Sequence, residues 1–494
     1  MAASAIFLLL CISVGSFLVY KIHASRKTTR RPPGPAGIPL LGNILDIRGA
    51  ELHHALANLA RQHGPIMSLK LGTSNAIVVS SAASANDALH RYDHILVGRA
   101  INDAGRVLGN DELSMLWLPS TSPLFKRLRA VCNNHLFSAR GLGSTRPLRE
   151  GKIREMVDCF RTRFAGQAVD VGSVVLSGLL NMMSNVLFSE DVTDLGVDQA
   201  QELQMMINDT INEITKPNVS DLFPVLAPLD LQGRRRNNEV YLKKIYDYMD
   251  RVISRRQSAG GEKKADFLDV LLQLHAEEQF SFESINAFLM DLFVAGTATT
   301  AITVQWTLAE LLRHPEIMSK VRAELQEVLG EKEHPDESDV DKLPYLRTVA
   351  MEIMRLHPPS PLMMPHVAMA EGAEVGGYPV PKGTKVIINV WAVMRDPASW
   401  EKPDEFVPER FQGKGLDFRG GDTVFLPFGA GRRLCPGLPM AAKSVMMILA
   451  SLLHEFEWSL PDGMQPCDVD LREKFTTSIN MVTPIKAVPR PICH

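Results

Sequence analysis

One stretch of the 494-residue chain surrounds a single cysteine with residues suited to holding it as a metal ligand: Phe428-Gly-Ala-Gly431-Arg-Arg433-Leu-Cys435-Pro-Gly437. A thiol that serves as axial ligand of a haem iron must be kept as a thiolate close to the metal. In that position it pushes electron density through the iron and favours O–O cleavage. Glycines at 431 and 437 let the backbone turn tightly and approach a flat macrocycle where a Cβ would intrude. Arg433 offers a fixed cation suited to a haem propionate. Backbone N–H groups just past the sulfur can temper its charge. A lone turn cysteine in a glycine-rich loop is the bland alternative, and the length and coherence of the string outweigh it.

Two further groupings could do chemistry. Ser281 to Arg313, stopped by Pro315, reads as one helix of about thirty residues, far longer than usual. At its middle lies Ala295-Gly296-Thr297-Ala298-Thr299-Thr300. Small residues there invite close approach of something flat, and the Thr299 hydroxyl can bond the Ala295 carbonyl and loosen the helix. Plain helix packing is the competing explanation. Glu352-Ile-Met-Arg355 places an acid and a base on one helix face.

The elements that must position these groups read as mainly α with small peripheral β-sheets. Helical patterns cover Glu150–Phe164, Asn238–Arg255, Ala265–Glu278, Pro315–Leu329 and Leu343–Leu356. Ile66–Ser81 reads as two strands around Gly72, and Val375–Val390 as a second hairpin. A net charge of −3 and a pI near 6.5 exclude the basic excess of a nucleic-acid binder. The cysteines at 11, 132, 159, 435, 467 and 493 form no C-x-x-C pair, which fits a reducing compartment. Met1 to Tyr20 carries no charge and is followed by Lys21, Arg26, Lys27, Arg30 and Arg31, the pattern of a retained anchor with its C-terminal side in the cytosol. The chain therefore divides into an anchor and basic flank, 1–31, and a catalytic unit, 32–494, that begins with the stiff Pro32-Pro-Gly-Pro35 hinge.

The cysteine string, the threonine-bearing helix and the Glu-x-x-Arg pair together resemble the cytochrome P-450 family of haem-thiolate monooxygenases, over essentially the whole chain from Pro32 onward. The resemblance implies the P-450 fold, haem b (iron protoporphyrin IX), Cys435 as the iron ligand, and Phe428, Gly431, Arg433 and Gly437 against the haem. It joins Arg410 of Pro408-Glu-Arg-Phe411 to Glu352 and Arg355 as a structural triad. Phe125, Lys126 and Arg129 occupy the place of the family's Trp-Arg-x-x-Arg, near a propionate, with Phe125 replacing the indole. His366 takes a place where relatives often present an arginine to a propionate. Thr299 is the catalytic threonine, but Ala298 stands where the family keeps an acid that relays protons.

Within the family, Pro365-His-Val-Ala368, Glu374–Gly383, Leu426-Pro-Phe-Gly and Leu453–Trp458 look like plant terpenoid oxidases, in particular the grass group that hydroxylates labdane-related diterpenes. The pocket expected on that basis is Ser114, Leu116, Phe288, Leu292, Ala295, Pro361, Leu362, Met363 and Thr477. No Gly-x-Gly-x-x-Gly follows a strand, so electrons must come from another protein. The resemblance names an NADPH-cytochrome P-450 reductase on the endoplasmic reticulum, docking near Lys126, Arg127 and Arg432. Two alternatives stay open: a haem-thiolate isomerase or dehydratase needing neither dioxygen nor reductase, and a non-enzymatic haem protein.

Overall fold

The computed structural model describes residues 31–49, 51–195, 202–258 and 264–493. The expected anchor, Met1–Tyr20, lies outside the described residues. Helices dominate, and their cores are the apolar faces of a few long ones. Phe282–Arg313 runs unbroken for 32 residues. Ser281 caps its start by accepting the Ser284 N–H at 3.2 Å, and Pro315 follows its end. It packs on Val171–Phe188, and both helices are long and apolar enough to cross a membrane yet are mostly buried within the protein. Gly296 makes that packing close, because a Cβ there would press on the Met183 side chain at 2.9 Å.

One five-stranded sheet lies at the edge of this helical body. In chain order its strands are β1 (Ile66–Leu71), β2 (Ser74–Val79), β3 (Gly98–Arg99), β4 (His366–Val367) and β5 (Lys385–Ile388). The spatial order is β1-β2-β5-β4-β3, with β2 and β5 parallel and the other pairs antiparallel. The pairing of Ile66–Ser81 is the expected hairpin. The second expected hairpin, Val375–Val390, is cut short. Ala373–Val375 pairs with Tyr378–Val380 across Gly376 and Gly377, both at positive φ, and the chain then leaves to add β5 to the larger sheet.

Helix Ala139–Arg163 starts eleven residues before the expected Glu150 (150 − 139). Gly141, Gly143 and Pro147 read as breakers in isolation. Here Ser138 caps the start, accepting the Gly141 N–H at 3.0 Å. Pro147 lies inside the helix, where its missing N–H leaves the Gly143 carbonyl without its usual donor. Arg149, buried within this turn, pairs with Glu337 and donates to the Leu142 carbonyl at 2.9 Å.

Candidate active site

Cys435 lies in the loop immediately before helix Leu438–Glu455. Its N–H donates to the Phe428 carbonyl at 3.0 Å, which closes the loop. Burial pushes the thiol pKa up, opposed by N–H groups of Gly437 and Leu438 that point at the sulfur and by the Arg129 cation. A helix N-terminus and a nearby cation are the settings that favour a thiolate. The two glycines differ. Gly431 sits at φ +63°, and a Cβ there would collide with the Leu89 carbonyl, so the protein itself demands glycine. At Gly437, φ is −76°, and an added Cβ would come no closer than 3.8 Å to any neighbour, the Cys435 sulfur. No protein atom requires glycine at 437, which leaves room beside the sulfur.

Three arginines gather around this loop. Arg433 donates to the carbonyls of Val97 (3.1 Å), Met115 (3.4 Å) and Leu118, and its guanidinium lies 4.4 Å above the Phe125 ring. Burial, then Arg129, pushes its pKa down to about 10. Arg99 donates to the Met364 carbonyl at 2.7 Å. Burial, then Arg433, pushes its pKa down to about 9. Burial also lowers Arg129, against the pull of the Cys435 and Cys132 thiols. Among the described residues none of the three forms an ion pair. The Nε atoms of Arg99 and Arg433 are buried without a partner. Half-buried cations that lower one another's pKa favour an anion placed among them. A flat dianionic macrocycle whose metal meets the sulfur fits this donor set.

His366 is buried on β4. Its Nδ1 lies 2.8 Å from the Leu96 carbonyl. Burial, then Arg99, pushes its pKa down to about 3. Arg99 is paired to His366 across β3 and β4 and adds a cation that the sequence reading did not single out. No sequence motif marked Arg99; its partner strand is only two residues long. Lys126 is exposed, as is Arg127, whose guanidinium lies 5.9 Å from the Phe280 ring. Neither joins the half-buried cations.

Along the long helix, Asp291, Ala295 and Thr299 recur every four residues and share one face. That face is open: Ala295 is exposed and the other two are half-buried in an otherwise buried helix. The Thr299 hydroxyl donates to the Ala295 carbonyl at 2.8 Å. Thr297, Thr300, Thr303 and Thr307 make the same four-residue back-bond, and the helix stays continuous, so the expected loosening at Thr299 is not there. The small residues divide by face, with Gly296 on Met183 and Ala295 on the open side.

The expected pocket residues differ in their surroundings. Phe288 is fully buried with its ring edge against Phe267 (5.8 Å), and Leu292 is buried too. Both belong to the packed core. Leu362 packs with Leu56, Met67 and Val78 in a small core of the sheet. Pro361 is buried. Leu116 is 43% exposed. Met363 holds a strained φ of +44°, and its Cε lies 3.2 Å from where a Cβ on Gly429 would stand. It therefore touches the cysteine loop. Thr477 is exposed in the turn between Glu473–Phe475 and Ile479–Met481. Ser114 is fully buried, donating to both Asp291 oxygens at 2.8 and 2.9 Å.

Behind the loop, Arg355 grips Glu352 through Nε (2.7 Å) and Nη2 (2.9 Å). Arg410 Nε donates to the same carboxylate at 2.9 Å. The two guanidiniums then donate to backbone carbonyls of Met394, Pro403, Glu401, Lys402 and Glu405. Glu352 and Arg355 are fully buried. The unit clamps the irregular segment that leads into the cysteine loop and faces no open cleft.

The family profile described as cytochrome P450 matches residues 32–484. The chain is 47% identical to ent-cassadiene C11-alpha-hydroxylase 1 of Oryza sativa subsp. japonica, covering 94% of each. It is also 47% identical to oryzalexin D synthase of the same plant, over 93% of this chain and 92% of that one. Among solved structures, a zebrafish cytochrome P450 determined with progesterone superposes with a TM-score of 0.75 at 26% identity, covering 90% of this chain and 100% of the other. With a thiol at a helix N-terminus, half-buried arginines around it that form no ion pair among the described residues, and this match along nearly the whole chain, the protein belongs to the cytochrome P450 family of haem-thiolate monooxygenases.

Proposed function

We propose that this monooxygenase hydroxylates a diterpenoid of plant specialised metabolism, of the kind used in defence, with Cys435 as axial ligand of haem b. The observation that carries the site assignment is the set of half-buried cations, Arg99, Arg129 and Arg433, with no carboxylate to match them. They would hold the propionates. The bound haem supplies dioxygen activation and C–H oxidation. The diterpenoid class rests on relatives whose names specify ent-cassadiene and oryzalexins.

The protein's own part is proton handling and exclusion of water. Thr299 spends its hydroxyl proton on Ala295 and keeps its lone pairs for a water in the cleft. Ala298 offers no acid beside it, so protons must come through water or a substrate hydroxyl. A positioned acid typically contributes about 10²–10⁴-fold. Ala298→Asp should raise the ratio of product to NADPH consumed, and Thr299→Ala should lower it; no change in either variant would place the relay elsewhere.

Electrons would come from NADPH-cytochrome P450 reductase at the endoplasmic reticulum membrane. Of the proposed docking cations, Lys126 and Arg127 are exposed, and Arg432 is shared with Asp93 at 3.3 Å. A membrane-facing side is supported by exposed apolar residues on two loops, Ile38, Leu40, Leu41 and Leu45, and Val225, Leu229 and Leu231. The turn at Gly72-Thr73 ties the loops together: Gly72 N–H meets Leu41 O at 3.2 Å, and Thr73 N–H meets Leu222 O at 2.9 Å. The deciding experiment incubates microsomes holding the full chain with cyclic diterpenes, with and without NADPH. Turnover without NADPH would replace a monooxygenase with an isomerase or dehydratase. Turnover of smaller terpenes alone would remove the diterpenoid.

A further inference from the structure

Apart from the cysteine loop and the open face of the long helix, two adjacent histidines converge on one carboxylate. His53 and His54 stand in the first turn of helix Leu52–His63. Their Nε2 atoms lie 2.8 and 2.9 Å from the same Glu473 oxygen. Glu473 opens the hairpin of Glu473–Phe475 with Ile479–Met481, whose turn carries Thr477. The two nitrogens and the carboxylate oxygen all lie within 4.8 Å of one another. Two imidazoles and a carboxylate are a donor set that zinc takes, with bonds of about 2.0–2.2 Å and donors about 3.3 Å apart in a tetrahedron. Each nitrogen would have to draw back from the Glu473 oxygen by only about half an ångström.

The side chains are held in place without an ion. His53 is fully buried, Asn389 donates to its carbonyl at 2.9 Å, and the Trp391 and Phe475 rings meet its ring edge-on at 5.6 and 5.5 Å. Trp391 packs in the same way on His54, at 4.6 Å. Glu51 accepts the Phe475 N–H at 2.7 Å and ties the start of the helix to the hairpin. The other Glu473 oxygen is 3.1 Å from His357, an outer partner that fixes the carboxylate. His54 and Glu473 border the cavity of ≈ 520 Å³, which gives an ion an entrance and leaves a fourth position for water. Two features oppose the ion. Arg395 lies 3.9 Å from the outer Glu473 oxygen, and the His53 Nδ1 has no partner, whereas a histidine ligand usually donates its second N–H. They weaken the site relative to a closed structural one. We propose that His53, His54 and Glu473 form a zinc site, separate from the haem, in which the ion replaces the two histidine–glutamate hydrogen bonds and clips the first helix to the C-terminal hairpin. The cluster needs no ion to fold, since its hydrogen bonds already complete it; zinc adds a tie between chain ends.

Haem-loaded full-length enzyme, dialysed against a chelator, is titrated with zinc or magnesium chloride, and bound metal and melting temperature are read together. The native enzyme should take up one zinc that His54→Ala lacks. Zinc should also raise its melting temperature, because an ion held only by the folded state stabilises that state. Magnesium, which prefers oxygen ligands, should do neither. His54 is 34% exposed, so its removal leaves the core intact, and His54→Gln serves as a second variant. Both are compared with the native enzyme at equal haem content, so that misfolding does not pass for a lost site. Affinity should fall by at least about 10–100-fold, the cost of losing even an outer partner of a ligand. A Cys467→Ser, Cys493→Ser double variant removes the two exposed thiols and should keep the zinc. No saturable zinc in the native enzyme, zinc retained by His54→Ala, or zinc lost with the two thiols overturns the proposal.

Discussion

Two buried polar clusters in this protein are built on opposite rules. Around Cys435, Arg99, Arg129 and Arg433 lie half-buried together with no carboxylate among them, and two of their Nε atoms are buried without a partner. Around Glu473, charges alternate. Glu473 lies 2.8 Å from His53, 2.9 Å from His54 and 3.1 Å from His357, with Arg395 at 3.9 Å; His357 in turn lies 2.9 Å from Glu310 and stacks on Trp306. Burial alone would raise the Glu473 pKa, but hydrogen bonds from its three histidines hold it far below the carboxylate range. The second cluster borders a cavity of ≈ 520 Å³, yet its charges are already matched, whereas those of the first are not. Matched charges complete themselves. Unmatched ones require something the chain does not contain, and cavity size says nothing about which is which.

The largest expected effect removes the group at the centre of the unmatched cluster. Cys435→Ser should abolish the carbon monoxide difference band of a thiolate-bound haem; a surviving band would end the assignment. Next comes the matched side. Arg410→Ala strands part of the Glu352 charge, at a cost of roughly 3–5 kcal/mol, so little folded protein should be recovered. Full recovery with activity alone lost would mean that Arg410 is part of the chemistry.

Arg99→Gln draws the contrast most sharply. Removing an unmatched cation should leave the melting temperature of the haem-free protein unchanged or raised. Haem retention should weaken by about 10–100-fold, since a hydrogen bond to a charged group is worth about 1.5–3 kcal/mol. Equal losses in both measurements would make Arg99 an ordinary structural residue. The smallest effect is one of pH. Burial raises Glu310, but hydrogen bonds from His314 and His357 win and hold it at about 2, below its ordinary 4.5. Its stabilisation is therefore complete above pH 4.5 and is lost as the pH falls toward 2. Glu310→Gln should flatten the stability slope in that window by up to about 1.4 kcal/mol per pH unit. An unaltered slope would assign the acid response to other groups.

What could be read from the chain alone was whatever depends on near neighbours in sequence. The long helix, its Ser281 cap and the Thr299 back-bond are local events. The Glu352–Arg355 pair needs only three residues of helix. The hydrogen bonds that point at the Cys435 sulfur come from residues two and three positions later. The cysteine string was legible because one loop supplies most of its chemistry.

The tertiary structure decided which groups are charged and which way side chains face. His366 and Arg99 are distant in sequence, and only the pairing of β3 with β4 sets them side by side, where burial neutralises one and leaves the other charged. Phe288 and Ala295 lie on similar sides of one helix, but packing against Phe267 closes the first into the core while the second stays open. Asp291 became visible only through Ser114, 177 residues away. The physical reason is the same in each case: local sequence fixes backbone geometry, but the dielectric around a group and the partners that answer its charge come from chain segments that meet only on folding.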